Sequence, residues 1–171
     1  MEFQLKPISR SGLAEAISKA EIYRYLNEPE EAESICRDIL AVEPDHQLAL
    51  RLLGLAITDQ FTGAVSDHHT EALEIFQNLT DPYERLYYTG ILYERRAKAQ
   101  LAKGPGPHTL RVLLERALSC FQQAEKIRPS GNDDAILRWN RCVRLLESLP
   151  APERRAERGI EALEAGDSPP I

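Results

Sequence analysis

Cysteine is scarce in this chain: Cys36, Cys120 and Cys142 are odd in number and nowhere in a C-x-x-C arrangement. That pattern suggests neither a disulfide framework nor a zinc site, and it favours a reducing compartment. Glycine is also sparse, 9 of 171 residues. Together with 43% hydrophobic and 28% charged residues, this fits a helix-rich folded chain rather than a fibrous or disordered one. No Lys/Arg run compares with the footprint of a duplex-binding domain and the net charge is -6, which argues against a nucleic-acid partner. No segment approaches the roughly 20 apolar residues that cross a bilayer, and "MEFQLKPISRSG" lacks the apolar stretch of a signal peptide. The expectation is a cytoplasmic protein with no membrane partner. G-x-x-x-x-G-K, G-x-S-x-G and H-E-x-x-H are all absent, so nothing positive supports an enzyme, and no cofactor is expected.

What the chain does contain is a repeat. A small residue followed three later by a larger core-type residue occurs at Ala20/Tyr23, Gly54/Ile57 and Gly90/Tyr93, separated by 34 and 36 residues. A second signature, of helix-end type, occurs at Ala32/Cys36/Ile39, Ala72/Phe76/Leu79 and Ala117/Phe121/Ala124. The two alternate. Ala32 to Gly54 and Ala117 to Trp139 are both 22 residues, which implies a fixed register from the second helix of one unit to the first of the next. Within the units the signatures stand 12, 18 and 27 residues apart, so insertions belong at turns inside the hairpins. Each slot has a physical reason. Small residues let two helices approach, large apolar ones fill the gaps beside them, and Pro44 and Pro129 stop a helix because the ring cannot continue the backbone ladder.

Over residues 13 to 148 this arrangement resembles the tetratricopeptide repeat (TPR) family, whose 34-residue unit carries W-x2-L-G-x2-Y…A-x3-F…P. The first unit offers Ala16, Lys19, Ala20, Tyr23, Ala32, Cys36 and Pro44 at those slots. The second offers Leu50, Leu53, Gly54, Ile57, Ala72 and Phe76, with Asp81 and Pro82 replacing the usual ending. The third offers Leu86, Thr89, Gly90, Tyr93, Ala117, Phe121 and Pro129. A fourth first helix puts Trp139 where a small residue belongs, which suggests a terminal cap. The resemblance implies an all-α fold, a right-handed α-solenoid of antiparallel helix hairpins whose concave surface is lined by first helices.

Helices are accordingly expected at about 12–27, 29–42, 46–60, 67–79, 82–103, 107–128, 132–148 and 151–165. They group into hairpins at about 13–46, 47–81 and 82–131 with a cap at 132–165, between an N-terminal tail 1–11 and a disordered tail 166–171. Asp45 and Asp133 are candidate helix caps. "KGPGPH", residues 103 to 108, is a turn two helical turns beyond a standard hairpin's closure, so the third hairpin is expected to project.

By family register the concave face is expected to hold a protein or peptide through Ile17, Arg24, Tyr25, Arg51, Leu55, Tyr87, Ile91, Arg95, Asn140 and Arg144. Its arginines would pair with the partner's acidic groups, and its aromatic and aliphatic side chains would take apolar anchors. The Lys and Asn clamp with which one TPR subclass holds a chaperone's terminal carboxylate is absent. Ile17, Glu21, Leu52, Glu84 and Tyr88 stand at its positions. Two other readings compete. One is self-assembly, end to end or through the third hairpin. The other, weaker, is a metal-dependent hydrolase built on "SDHHTE", where Asp67, His68, His69 and Glu71 are all ligand types, although a polar inserted turn capping a helix explains them better. Cys36 and Cys142 fall in core slots, where cysteine acts as a small hydrophobe.

Overall fold

The computed structural model describes residues 3–63, 68–104 and 107–149. Among them the chain forms seven α-helices and no strand: α1 (Leu13–Tyr25), α2 (Pro29–Val42), α3 (Gln47–Asp59), α4 (His68–Gln77), α5 (Pro82–Leu101), α6 (Pro107–Lys126) and α7 (Asp134–Ser148). A 3-10 turn, Arg10–Gly12, precedes α1 and was not expected from sequence; Ser9 Oγ caps it by accepting from Gly12 N–H at 3.2 Å. The expected helix bounds from 12 to 148 differ from these by at most two residues. The helix expected at 151–165 and the tail after it lie outside the described residues.

Local chemistry sets the ends. Asn27 takes a left-handed φ of 61° directly after α1. Its N–H then reaches Arg24 O at 3.1 Å, while Glu28 N–H reaches Tyr23 O at 2.9 Å, the paired bonds of a Schellman cap. One residue later Pro29 opens α2, where its missing N–H is no loss. Pro82 opens α5 in the same way, with Asp81 Oδ1 accepting from Tyr83 N–H at 2.8 Å. At α3 the cap is His46, not Asp45: its Nδ1 accepts from Ala49 N–H at 3.2 Å. Asp133 precedes α7 but gives its carboxylate to Arg128, and Asn132 Oδ1 takes Asp134 N–H at 2.9 Å instead.

Each helix packs on the next in the chain, and a second series of contacts joins α1 to α3, α3 to α5 and α5 to α7. Members of that series run in the same direction. Arg51 meets Glu84 near the starts of α3 and α5, and Asp59 meets Arg95 near their ends; Tyr83 meets Asn132, which precedes α7, and Glu94 meets Arg138 further along. The core is correspondingly continuous. One cluster around Ile39, Leu53, Ile57 and Phe76 and another around Leu114, Phe121 and Cys142 share Leu55, Tyr88 and Tyr93 at their boundary.

One expectation needs correction. The fixed register fails at the second junction, since Ala72 to Gly90 is 18 residues rather than 22. The four missing residues amount to about one helical turn, and α4 stops at Gln77, sooner after its alanine than α2 does. The α5–α6 pair, 20 residues in each helix, is long, but its α5 flank does not stand free. Gly63, with φ +78°, lies so close to it that a Cβ would come within 2.6 Å of Ala99 O. Gly63, in the described part of the α3–α4 connection, thus covers part of the insertion that lengthens α5.

Candidate functional site

The face shared by α1, α3, α5 and α7 is held by ion pairs that cross from helix to helix. Arg24, in the last turn of α1, donates to Asp59 Oδ2 through Nε at 2.9 Å and Nη2 at 2.8 Å. Asp59 closes α3, and its Oδ1 also accepts from Arg95 Nη1 of α5 at 2.7 Å. Arg95 reaches further, to Thr58 Oγ1 and, at 3.0 Å, to Leu55 O. Nearer the helix starts, Arg51 pairs with Glu84 at 2.7 Å, its guanidinium 6.0 Å from the centre of the Tyr88 ring.

A second three-charge group lies beside the first. Glu94, 1% exposed, accepts from Lys98 on its own helix and from Arg138 of α7 at 3.4 Å. Each of the two carboxylates, Asp59 and Glu94, therefore holds two cations. Each group carries one positive charge in excess.

Two recesses open on this face. One, about 250 Å³, is walled by Glu21, Arg24, Tyr25, Arg51, Leu52, Leu55 and Tyr88. The other, about 320 Å³, is walled by Thr58, Asp59, Phe61, Arg95, Lys98 and Ala99, so it lies between the two charged groups. Tyr25 projects from the end of α1 with 89% of its surface exposed, and Ile22 and Leu26 are exposed around it.

Of the side chains expected to form a groove, Arg24, Arg51, Leu55 and Arg95 are brought together, with Tyr25 at the rim. Ile17 and Ile91 are corrected to core positions, 7% and 2% exposed. Tyr87 is likewise a packing residue. Its ring stacks on Tyr83 at 5.7 Å, meets Tyr88 edge-on at 5.1 Å and reaches Phe121 at 6.0 Å, while Phe76 stacks on Tyr88 at 5.6 Å. Asn140 and Arg144 are exposed on α7, outside both recesses. The arginines' expected role also changes: Arg24, Arg51 and Arg95 already hold carboxylates of their own chain. What remains for a ligand is the surplus of the two groups, not three free guanidinium ions.

Thr58, Phe61 and the pairing of the charges were missed. A signal existed for the charges: Arg24, Asp59 and Arg95 alternate in sign at spacings of 35 and 36, close to the repeat spacings themselves. Phe61 belongs to the α3–α4 insertion, where the repeat offers no register.

Elsewhere the chemistry is quiet. Burial pushes the Cys36 and Cys142 thiols up to about 12 and raises Cys120 as well, so none is poised as a thiolate. His68 Nδ1 is 4.0 Å from Glu71 Oε2, whereas His69 turns between the rings of Phe61 and Tyr93, 6.2 and 6.1 Å away. Asp67 lies outside the described residues, and among those described no three His, Cys, Asp or Glu side chains gather as a metal site. No described helix is long and apolar enough to cross a membrane. No protein-family model, curated protein or solved structure matches the chain.

Proposed function

We propose that this protein is a non-enzymatic TPR-like scaffold, a right-handed α-solenoid of helix hairpins, that holds an acidic segment of another protein on the face shared by α1, α3 and α5. The observation that carries this reading is the 320 Å³ recess between two charge groups, each with one surplus cation. An acidic side chain entering there meets a net positive field without displacing Asp59 or Glu94. A neighbouring apolar side chain has Phe61 and Leu55 to cover. Two recesses along one row of helices suit a peptide better than a compact small molecule, and Tyr25 supplies the exposed aromatic anchor that such interfaces favour.

The test is fluorescence anisotropy with labelled peptides of alternating Glu and Leu, against peptides of the same length with Gln for Glu. The acidic series should bind more tightly, with affinity falling as salt rises. Tyr25→Ala, which alters an exposed side chain, should weaken it by roughly 1 kcal/mol or more, the scale of an aromatic anchor. Equal binding of the two series would refute the charge-based reading.

A second reading, self-association, is favoured by an apolar groove of about 430 Å³ on the outer side of α1 and α2, formed around Ile8, Ala16 and Ile35. Phe3 and Leu5, both largely exposed, lie in the segment that leads to it. Sedimentation velocity over a concentration series would show a mass that grows with concentration, and Phe3→Ser with Leu5→Ser would abolish the growth.

A further inference from the structure

The chain carries a candidate ligand of its own. Beyond α7 it continues for 22 residues, 150 to 171, and their charge is unevenly placed. Residues 150–158, "PAPERRAER", hold three arginines and two glutamates, a net of +1, whereas 159–167, "GIEALEAGD", hold Glu161, Glu164 and Asp167 and no basic residue. Ile160 and Leu163 are the large apolar side chains of the acidic half. That is the combination the recess beside Phe61 suits: carboxylates for two surplus cations, with apolar side chains next to them.

Position favours the same pairing. Because α3, α5 and α7 run in one direction, the end of α7 at Ser148 lies at the end of the face where Asp59 closes α3 and Lys98 stands in the last turn of α5. Crossing from α7 to the α3–α5 recess spans about two interhelical spacings, roughly 20 Å. The nine residues 150–158 reach up to about 30 Å when extended, so the connection is long enough with slack.

We infer that residues 159–167 of this chain occupy the recess between the Arg24/Asp59/Arg95 and Lys98/Glu94/Arg138 groups, and that an external acidic peptide binds by displacing them. The carboxylates of Glu161 and Glu164 match the surplus cations in charge, and Ile160 and Leu163 match Phe61 and Leu55 in apolar character. The inference rests on the reading of this face as a site for acidic peptides and adds a regulatory device to it. A tethered segment whose own Kd for the recess is ~0.1 mM, held at an effective concentration near millimolar, lowers the apparent affinity of any competitor by roughly tenfold.

Two measurements on the full chain test this. First, p-benzoylphenylalanine replaces Leu163, and the dilute protein is irradiated and mapped by mass spectrometry. Insertion within the same chain into residues 52–61 and 91–99 is expected. Insertion only in covalent dimers, or scattered over unrelated surfaces, overturns the inference. Second, a fluorescein-labelled peptide of residues 159–171 is titrated into the wild type and into a chain carrying Glu161→Lys, Glu164→Lys and Asp167→Lys, changes that leave the described helices untouched. The variant should bind about tenfold more tightly. Equal, measurable binding to both proteins overturns self-occupancy while leaving the peptide site standing. Binding to neither, together with scattered cross-links, overturns both.

Discussion

The phenyl ring of Phe76 lies over Gly54 so closely that a Cβ at residue 54 would stand 2.4 Å from Cε1 of the ring. The next pair repeats the relationship, with Gly90 under Phe121 and a Cβ at 2.5 Å from Cε1. Both rings are fully buried, so neither can yield without disturbing the core. Gly54→Ala should therefore destabilise the fold. Alanine gains about 1 kcal/mol of helix propensity, but overpacking a fixed ring costs ~1–3 kcal/mol. Thermal unfolding should show a lower Tm for Gly54→Ala and Gly90→Ala alike.

The first helix pair solves the same problem in reverse. There Ala20 has the Cβ, and the facing slot holds the smaller Cys36, both fully buried in one cluster. Cys36→Phe alone should be destabilising, and Ala20→Gly alone should lose about 1 kcal/mol of helix propensity. Combined, they recreate the geometry of Gly54 and Phe76. The double mutant should be more stable than the sum of the singles by about 1 kcal/mol or more, measured by chemical denaturation as a double-mutant cycle.

That pairing also shows which parts of the molecule were legible in its sequence. Glycine, alanine and aromatic slots recur because close helix approach is a local steric demand, and it marks the chain at each repeat. The helices and the buried cysteines follow from it. Which of two adjacent helix positions faces outward is a finer matter. Ile17 and Ile91 were projected to the groove and lie in the core because a rotation of one residue, about 100°, separates the two faces. The internal pairing of Arg24, Arg51 and Arg95 was hidden for another reason: a charge on a helix says nothing by itself about where its counter-ion sits. Phe61 and the cover over Ala99 came from insertions, which carry no repeat to read.

Thiol chemistry gives a further expectation. Burial drives Cys36 and Cys142 to about 12, leaving almost no thiolate near neutral pH, and Cys120 is raised while remaining half-buried. Under native conditions Ellman's reagent should titrate at most one thiol, slowly, and Cys120→Ser should remove that reaction. In guanidinium all three should react at once. Fast native labelling of Cys36 or Cys142 would contradict the packing around them.

His69 gives the fold an acid-side weakness. Burial, and then the charges of Arg96 and Arg116, hold its pKa below the ordinary 6.5. The unfolded chain thus takes up a proton near 6.5 that the folded chain takes up only at lower pH. Stability is full above that point and falls as pH drops through the window beneath it. His69→Phe, which keeps a ring between Phe61 and Tyr93, should lose less stability than wild type between about pH 7.5 and about pH 5.5. Denaturant midpoints for the two proteins at both pH values measure the difference.

Glu94 makes the sharpest test of the charge groups, because its partners are unequal to it in exposure. Glu94 is 1% exposed, whereas the side chains of Lys98 and Arg138 are 38% and 41% exposed. Removing the carboxylate charge by Glu94→Gln leaves two cations that water can reach, and an amide that still accepts a hydrogen bond. Lys98→Met does the opposite: it leaves a buried carboxylate with only Arg138 at 3.4 Å for compensation. Stranding a buried charge costs more than losing a pair, so Lys98→Met should destabilise by ~2–3 kcal/mol and Glu94→Gln by about 1 kcal/mol or less. The double variant should be no worse than Lys98→Met alone, since it removes the charge that the single change strands. Urea midpoints of the three proteins decide the order. A larger loss for Glu94→Gln than for Lys98→Met would mean that Glu94 is held by its field on the cations rather than burdened by its own burial.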